Sequence, residues 1–231
     1  MSRLASFKGP STPTSSPVRV KQSQSPYSPS RPTESTYHRK VRTALQELRT
    51  VAETWDDIVL IDGLKAAKSL VDARTDLDNE LSLLPAGSQP DHHIVGPKIA
   101  TMEQRISDLN AVIEKLKKQF QRMNAIAENL EATLYEAHKT KGWQWVQESM
   151  WTTWSLERFV STIPRVLPPY RRSLEMHIEI VDIVRSHEVT FEASREAIAK
   201  WVAQPYLEEH SWDVEWEDLC EAEIDRWDGL K

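Results

Sequence analysis

From Tyr37 onward, apolar positions recur with the period of a helix. Val41, Leu45, Leu48, Ala52, Trp55 and Val59 alternate steps of four and three, which places them on one stripe. Asp62 falls where the stripe should continue, Gly63 weakens the helix, and the apolar positions drift to Leu64, Ala67, Leu70, Leu77, Leu81 and Leu84. The drift predicts either a stutter in a coil or, more sharply, a bend or a partner contact. Pro85 to Pro97 (PAGSQPDHHIVGP) concentrates three prolines and two glycines, and predicts a loop between two antiparallel arms.

The second arm carries the most regular pattern. Ile99, Met102, Ile106, Leu109, Ile113, Leu116, Phe120, Met123, Ala127, Leu130, Leu134 and Ala137 keep steps of three and four throughout. Such spacing predicts a left-handed supercoil against another helix. At ~1.5 Å per residue the arm spans roughly 58 Å. Its seam requires cover, and the first arm is the nearest source of it. Gly142 suits the position just past a helix end, and Lys139 and Lys141 suit the negative end of the helix dipole.

Beyond Gly142 the pattern changes. Eight of the nine tryptophans lie at or after Trp143. Shorter helices are predicted over 155–163, 168–187, 191–203 and 212–227. Pro168 and Pro169 fit a helix start, Thr190 can cap the helix beginning at Phe191, and Pro205 stops that helix. Tyr170, Leu174, His177, Val181 and Val184 share one face.

Before the first arm, residues 1–36 contain ten Ser, four Thr and six Pro with almost no large aliphatic side chains. Such a segment cannot bury enough apolar surface to offset its ordering entropy, and it is expected to be disordered. Thr12, Ser16, Ser25 and Ser28 each precede a proline and are candidates for proline-directed phosphorylation; Ser16 and Ser28 also have an arginine three residues on. Phosphates there would cancel the tail's positive charge.

Composition narrows the function classes. The net charge of −6 conceals a basic tail and a C-terminal part, 142–231, with eighteen acidic and nine basic groups. That part is unsuited to tight phosphate contact, so protein partners are expected rather than nucleic acid. No apolar run is long enough for a membrane span, the start lacks the apolar stretch of a secretory signal, and Cys220 is the single cysteine. No glycine-rich phosphate loop or HExxH is present. His92-His93 reads as a surface pair rather than a ligand pair, and Cys220, in acidic surroundings, as inert. No enzyme activity and no cofactor are expected. Trp212, Trp216 and Leu219, with Trp227 as a further member, recur at helical spacing in an acidic stretch, either to cover the core or to dock into an apolar groove on a partner.

Three ordered elements carry a family resemblance. Thr153-Trp154 is followed five residues on by Phe159; Tyr170-Arg171-Arg172-Ser173-Leu174 comes next; then Trp201-Val202-Ala203-Gln204-Pro205-Tyr206. In this order and spacing the chain resembles the cyclin-dependent kinase 2-interacting protein family, and Trp55-Asp56-Asp57-Ile58-Val59-Leu60 resembles that family's tryptophan-led segment in the first arm. The acidic stretch after Tyr206 lies outside the resemblance.

The resemblance implies a non-catalytic adapter. Its partners would be a nuclear AAA-ATPase assembly acting in large ribosomal subunit maturation and replication-protein turnover, and cyclin-dependent, replication or checkpoint kinases. It makes Trp154, Tyr170, Trp201, Gln204, Pro205 and Tyr206 candidate partner-binding residues in a hetero-oligomer; Trp212 and Trp216 join them on their helical spacing in the acidic stretch, not on the resemblance. The location implied is nuclear, with the cytoplasm second. A purely structural coiled-coil subunit, as in a chromosome-segregation complex, is the alternative. The expected fold is all-α: a disordered tail over 1–36, a long antiparallel coiled-coil hairpin over 37–141 and a small Trp-rich helical module over 142–231.

Overall fold

Ser35 starts the first helix, its hydroxyl accepting the His38 N–H at 3.4 Å. The computed structural model describes residues 34–85, 87, 89, 91–208 and 219–225, and all its regular elements are helical apart from one isolated bridge between Ser149 and Ser155. Helix α1 spans Thr36–Asp57, a π turn Ile58–Gly63 follows, and α2 spans Leu64–Ser82. The long helix α3 covers His92–Lys141. Then come α4 (Trp143–Gln147), α5 (Leu156–Thr162), a 3₁₀ turn (Ile163–Val166), α6 (Leu167–Arg185), α7 (Phe191–Ala203), α8 (Pro205–Glu208) and a second π turn, Cys220–Asp225. The proposed phosphorylation sites Thr12, Ser16, Ser25 and Ser28, the rest of the tail up to Thr33, and Trp212 and Trp216 lie outside the described residues.

The drift at Gly63 is the π turn. A wider turn takes up extra residues without breaking the helix, so the apolar stripe resumes on α2 at a new phase. The predicted loop 85–97 extends too far at its C-terminal end. Asp91 accepts the His93 N–H at 2.9 Å and caps a helix that already contains Pro97. Proline there forfeits one bond near the helix start, and the long run behind it carries the helix through.

Polar pairs show that α1–α2 and α3 run in opposite directions. Tyr37 and Thr140 hydroxyls meet at 2.7 Å, Lys40 reaches Glu136 at 2.6 Å, Lys115 reaches Asp62 at 2.6 Å and Lys98 reaches Glu80 at 2.9 Å. Most of the predicted α3 seam is buried; Ile106, Phe120 and Leu134 are half-buried against the core, and Ile99 is 42% exposed. A second line on the same helix, Val112, Ile126 and Thr133, is buried as well. It needs more cover than one neighbouring helix provides: α3 contacts α1 and α2, and also α6, whose Arg185 donates to Asn110 at 2.9 Å.

The residues after Gly142 pack against the arms. Helix α6 packs on α3, and α7 packs on α2 and the first π turn. Gly142 marks a helix end, not a gap in the core; its φ of 89° suits glycine, and its N–H closes the last turn on the His138 carbonyl at 3.0 Å. Pro168 and Pro169 occupy the first turn of α6, where the missing N–H groups have no intrahelical partner to lose. Thr190 caps α7 by accepting the Ala193 N–H at 3.2 Å.

Candidate functional site

Three stretches distant in sequence converge on one buried junction: Trp55-Asp56 and the π turn, Tyr170 to His177 of α6, and Trp201 to Gln204 at the end of α7. Trp201 is fully buried. Its indole N–H donates to the Val59 carbonyl at 3.0 Å, which also accepts the Leu64 N–H across the widened turn. The ring lies over Gly63, where a Cβ would stand 3.0 Å from Cε2 and nearer still to Cζ2. Gly63→Ala is expected to destabilise the fold by about 1–2 kcal/mol net, overpacking outweighing the helix-propensity gain. Urea unfolding checks it, and the penalty should shrink in a Trp201→Phe background, because the clash is with the indole.

Gln204 ends α7 in the left-handed region, at φ 40° and ψ 53°. There its side-chain oxygen accepts the Trp55 indole N–H at 2.9 Å, and its amide nitrogen donates to Asp56 at 2.9 Å. The two partners fix the amide orientation, since an indole only donates and a carboxylate only accepts. Burial raises the Asp56 pKa, which the Gln204 hydrogen bond opposes and Asp57 reinforces. Pro205 then opens α8. Tyr170 is buried with its ring edge-on to Trp55 at 5.1 Å.

His177 sits between Trp201, at 4.4 Å centroid to centroid, and the Ser173 carbonyl, 2.6 Å from Nδ1. Its Nε2 is buried without a hydrogen-bond partner; the Trp201 main chain lies near enough to favour the proton but out of bonding geometry. Burial lowers its pKa to about 4, against those backbone influences. The unfolded chain, at the ordinary value of about 6.5, then binds more protons, so this contribution is complete above that value and is lost as pH falls towards about 4. About 2–3 kcal/mol is expected to disappear between about pH 7 and about pH 4.5. His177→Phe should flatten that part of the profile in urea titrations at a series of pH values.

A second cluster surrounds the Thr153-Trp154 pair. The loop Glu148–Ser155 is closed by the Met150 N–H to the Trp154 carbonyl at 2.8 Å and by the Ser149 hydroxyl to the Thr153 carbonyl at 3.3 Å. Trp154 is half-buried, 5.3 Å from the Phe159 ring, with the Arg158 guanidinium 4.3 Å from its centroid. Glu223, from the second π turn, enters this loop. It accepts the Thr153 N–H at 2.8 Å and the Trp154 N–H at 2.9 Å, and also the Thr153 hydroxyl. Burial alone would raise its pKa; the hydroxyl and the N–H groups outweigh that and hold it below the ordinary glutamate range.

The candidates thus divide. Tyr170, Trp201 and Gln204 are buried and join parts of the fold, so their side chains do not face a partner here. Trp154, Pro205 and Tyr206 are half-buried. The sequence does not mark Asp56, Glu223 or the role of Gly63 as site features; the one signal it carries is Gly63 at the phase change of the stripe. Among the described residues, no group of three His, Cys, Asp or Glu is placed to hold a metal ion, and no helix is long and apolar enough to cross a membrane. No family model matches the chain, and no relative is detected among curated proteins.

Proposed function

We propose that this chain is a non-catalytic adapter of the kind the cyclin-dependent kinase 2-interacting protein family represents. In this reading α1–α2 and α3 form a coiled-coil hairpin, and the tryptophan-rich helices after Gly142 brace it. The assembly served is a nuclear AAA-type ATPase complex acting in large ribosomal subunit maturation and replication-protein turnover, with replication or checkpoint kinases as further partners. One observation carries the reading: three family-like segments, Trp55–Leu60, Tyr170–Leu174 and Trp201–Tyr206, interlock in a single buried junction. Residues that hold a fold together form a joint signature only when they meet.

Since the shared side chains are largely internal, partner contact falls to what remains outside. Ile61, Tyr135, Trp143 and Phe191 are large apolar side chains left exposed, and such groups anchor interfaces. Affinity purification of the intact chain from its native cells is the test. Recovery of an AAA-type ATPase, reduced by Ile61→Asp or Tyr135→Asp, is expected. Recovery of stable coiled-coil partners without an ATPase would replace this reading with the structural-subunit alternative.

A further inference from the structure

We infer that the Glu148–Ser155 loop is a receptor for acidic amphipathic segments, filled in cis by the chain's own Leu219–Asp225 and open to a partner's segment of like chemistry. The inference does not depend on which assembly the chain serves.

Glu223 carries it. Glu223 is 3% exposed; its carboxylate accepts from Thr153 and Trp154, and its main-chain carbonyl accepts the Thr152 hydroxyl at 3.4 Å. The seat is made by the loop itself. Its closing hydrogen bonds, Met150 to Trp154 and Ser149 to Thr153, do not involve Glu223. Its walls are also independent of Glu223: Trp151 lies edge-on to Phe159 at 5.5 Å and donates to Glu34 at 3.1 Å, and Trp154 is covered by Arg158. A seat braced by other parts of the chain keeps its donors aimed when the occupant leaves.

The occupant is suited to leaving. Around the carboxylate it buries Leu219, four residues before, and Ile224, one residue after. It belongs to a stretch, Glu208 to Asp228, holding ten acidic residues and one arginine. Mutual repulsion in such a run opposes its packing against the body, whereas the single charge that is seated finds oriented donors. Recognition therefore depends on a glutamate with an apolar residue four positions before it and another directly after. A partner segment with this arrangement meets the same donors and the same apolar contacts.

The test uses the full chain and, as probe, a fluorescein-labelled synthetic peptide of residues 217–227, followed by fluorescence anisotropy. Glu223→Ala in the protein should tighten peptide binding about tenfold or more, by vacating the seat. Thr153→Val added to that variant should reverse most of the gain, as should Glu223→Ala in the peptide. Equal affinity for the wild type and Glu223→Ala, or indifference to Thr153→Val, overturns the inference. A second measurement keeps it testable if Glu223→Ala does not fold. In the wild-type chain the Thr153 and Trp154 amides should exchange hydrogen faster than those in the middle of α6, and excess peptide should slow them. Exchange as slow as that of α6 and unchanged by peptide would make Leu219–Asp225 fixed core and overturn the inference equally.

Discussion

Trp201→Ala is expected to cost about 3–5 kcal/mol of folding stability, the range for deleting a large aromatic side chain from a core. Two physical effects place it there. The indole fills space bounded by Gly63 and His177, and neither can expand to fill a void: one has no side chain, and the other is pinned through Nδ1 to the Ser173 carbonyl at 2.6 Å. The same change removes the donor to Val59 at 3.0 Å, leaving the π turn with a lone pair facing the cavity. Trp201→Phe separates the effects, because it retains much of the ring and loses the N–H. It should cost about 1–3 kcal/mol, from one lost hydrogen bond and a smaller ring, since the Val59 carbonyl keeps the Leu64 N–H. Urea unfolding followed by circular dichroism measures both. A Trp201→Ala protein of undiminished stability would contradict the buried role and return Trp201 to the partner-binding residues.

Parts of this arrangement are legible in the sequence, and the reason differs from part to part. The α3 seam is legible because burial on a helix imposes a period, and Met102 to Ala137 obey it. Its second line is not, since Val112, Ile126 and Thr133 are too widely spaced to register as a stripe, and Thr133 is polar. The phase change at Gly63 is visible, but periodicity alone does not distinguish a stutter from a π turn; the Trp201 ring lying over the glycine does. The loop ends early because Asp91 caps α3, a local hydrogen bond that outweighs the presence of Pro97. Glu223 is the least legible. In a run of acidic residues each reads as solvated, and only the opposing N–H groups of Thr153 and Trp154, some seventy residues away, mark this one as buried.

Arg74 poses the same difficulty on α2, and there the consequence is energetic. It stands between Leu70 and Leu77 in the apolar stripe and is 6% exposed. Its guanidinium donates to the Ser186 carbonyl at 2.8 Å, to the Val184 carbonyl at 3.5 Å and to the Ser194 hydroxyl. Two of these acceptors belong to the C-terminal end of α6, where carbonyls lack intrahelical partners and the helix dipole favours a cation. Arg74→Met keeps the length of the stem and removes every donor, stranding buried acceptors. A loss of about 2–4 kcal/mol is expected, from several unsatisfied groups partly relieved by the apolar replacement. Arg74→Lys should recover only part of it, because one ammonium nitrogen cannot stand where Nη1 and Nη2 of the guanidinium fork both stand to reach Val184, Ser186 and Ser194. The loss should change little with salt, since a buried contact is weakly screened. Its location should also be distinctive. Arg74 ties α2 to the corner between α6 and α7, so Arg74→Met should speed hydrogen exchange in α7 well before it does so in the middle of α3. Uniform acceleration through both helices would mean that the arginine acts on the whole core rather than on that corner.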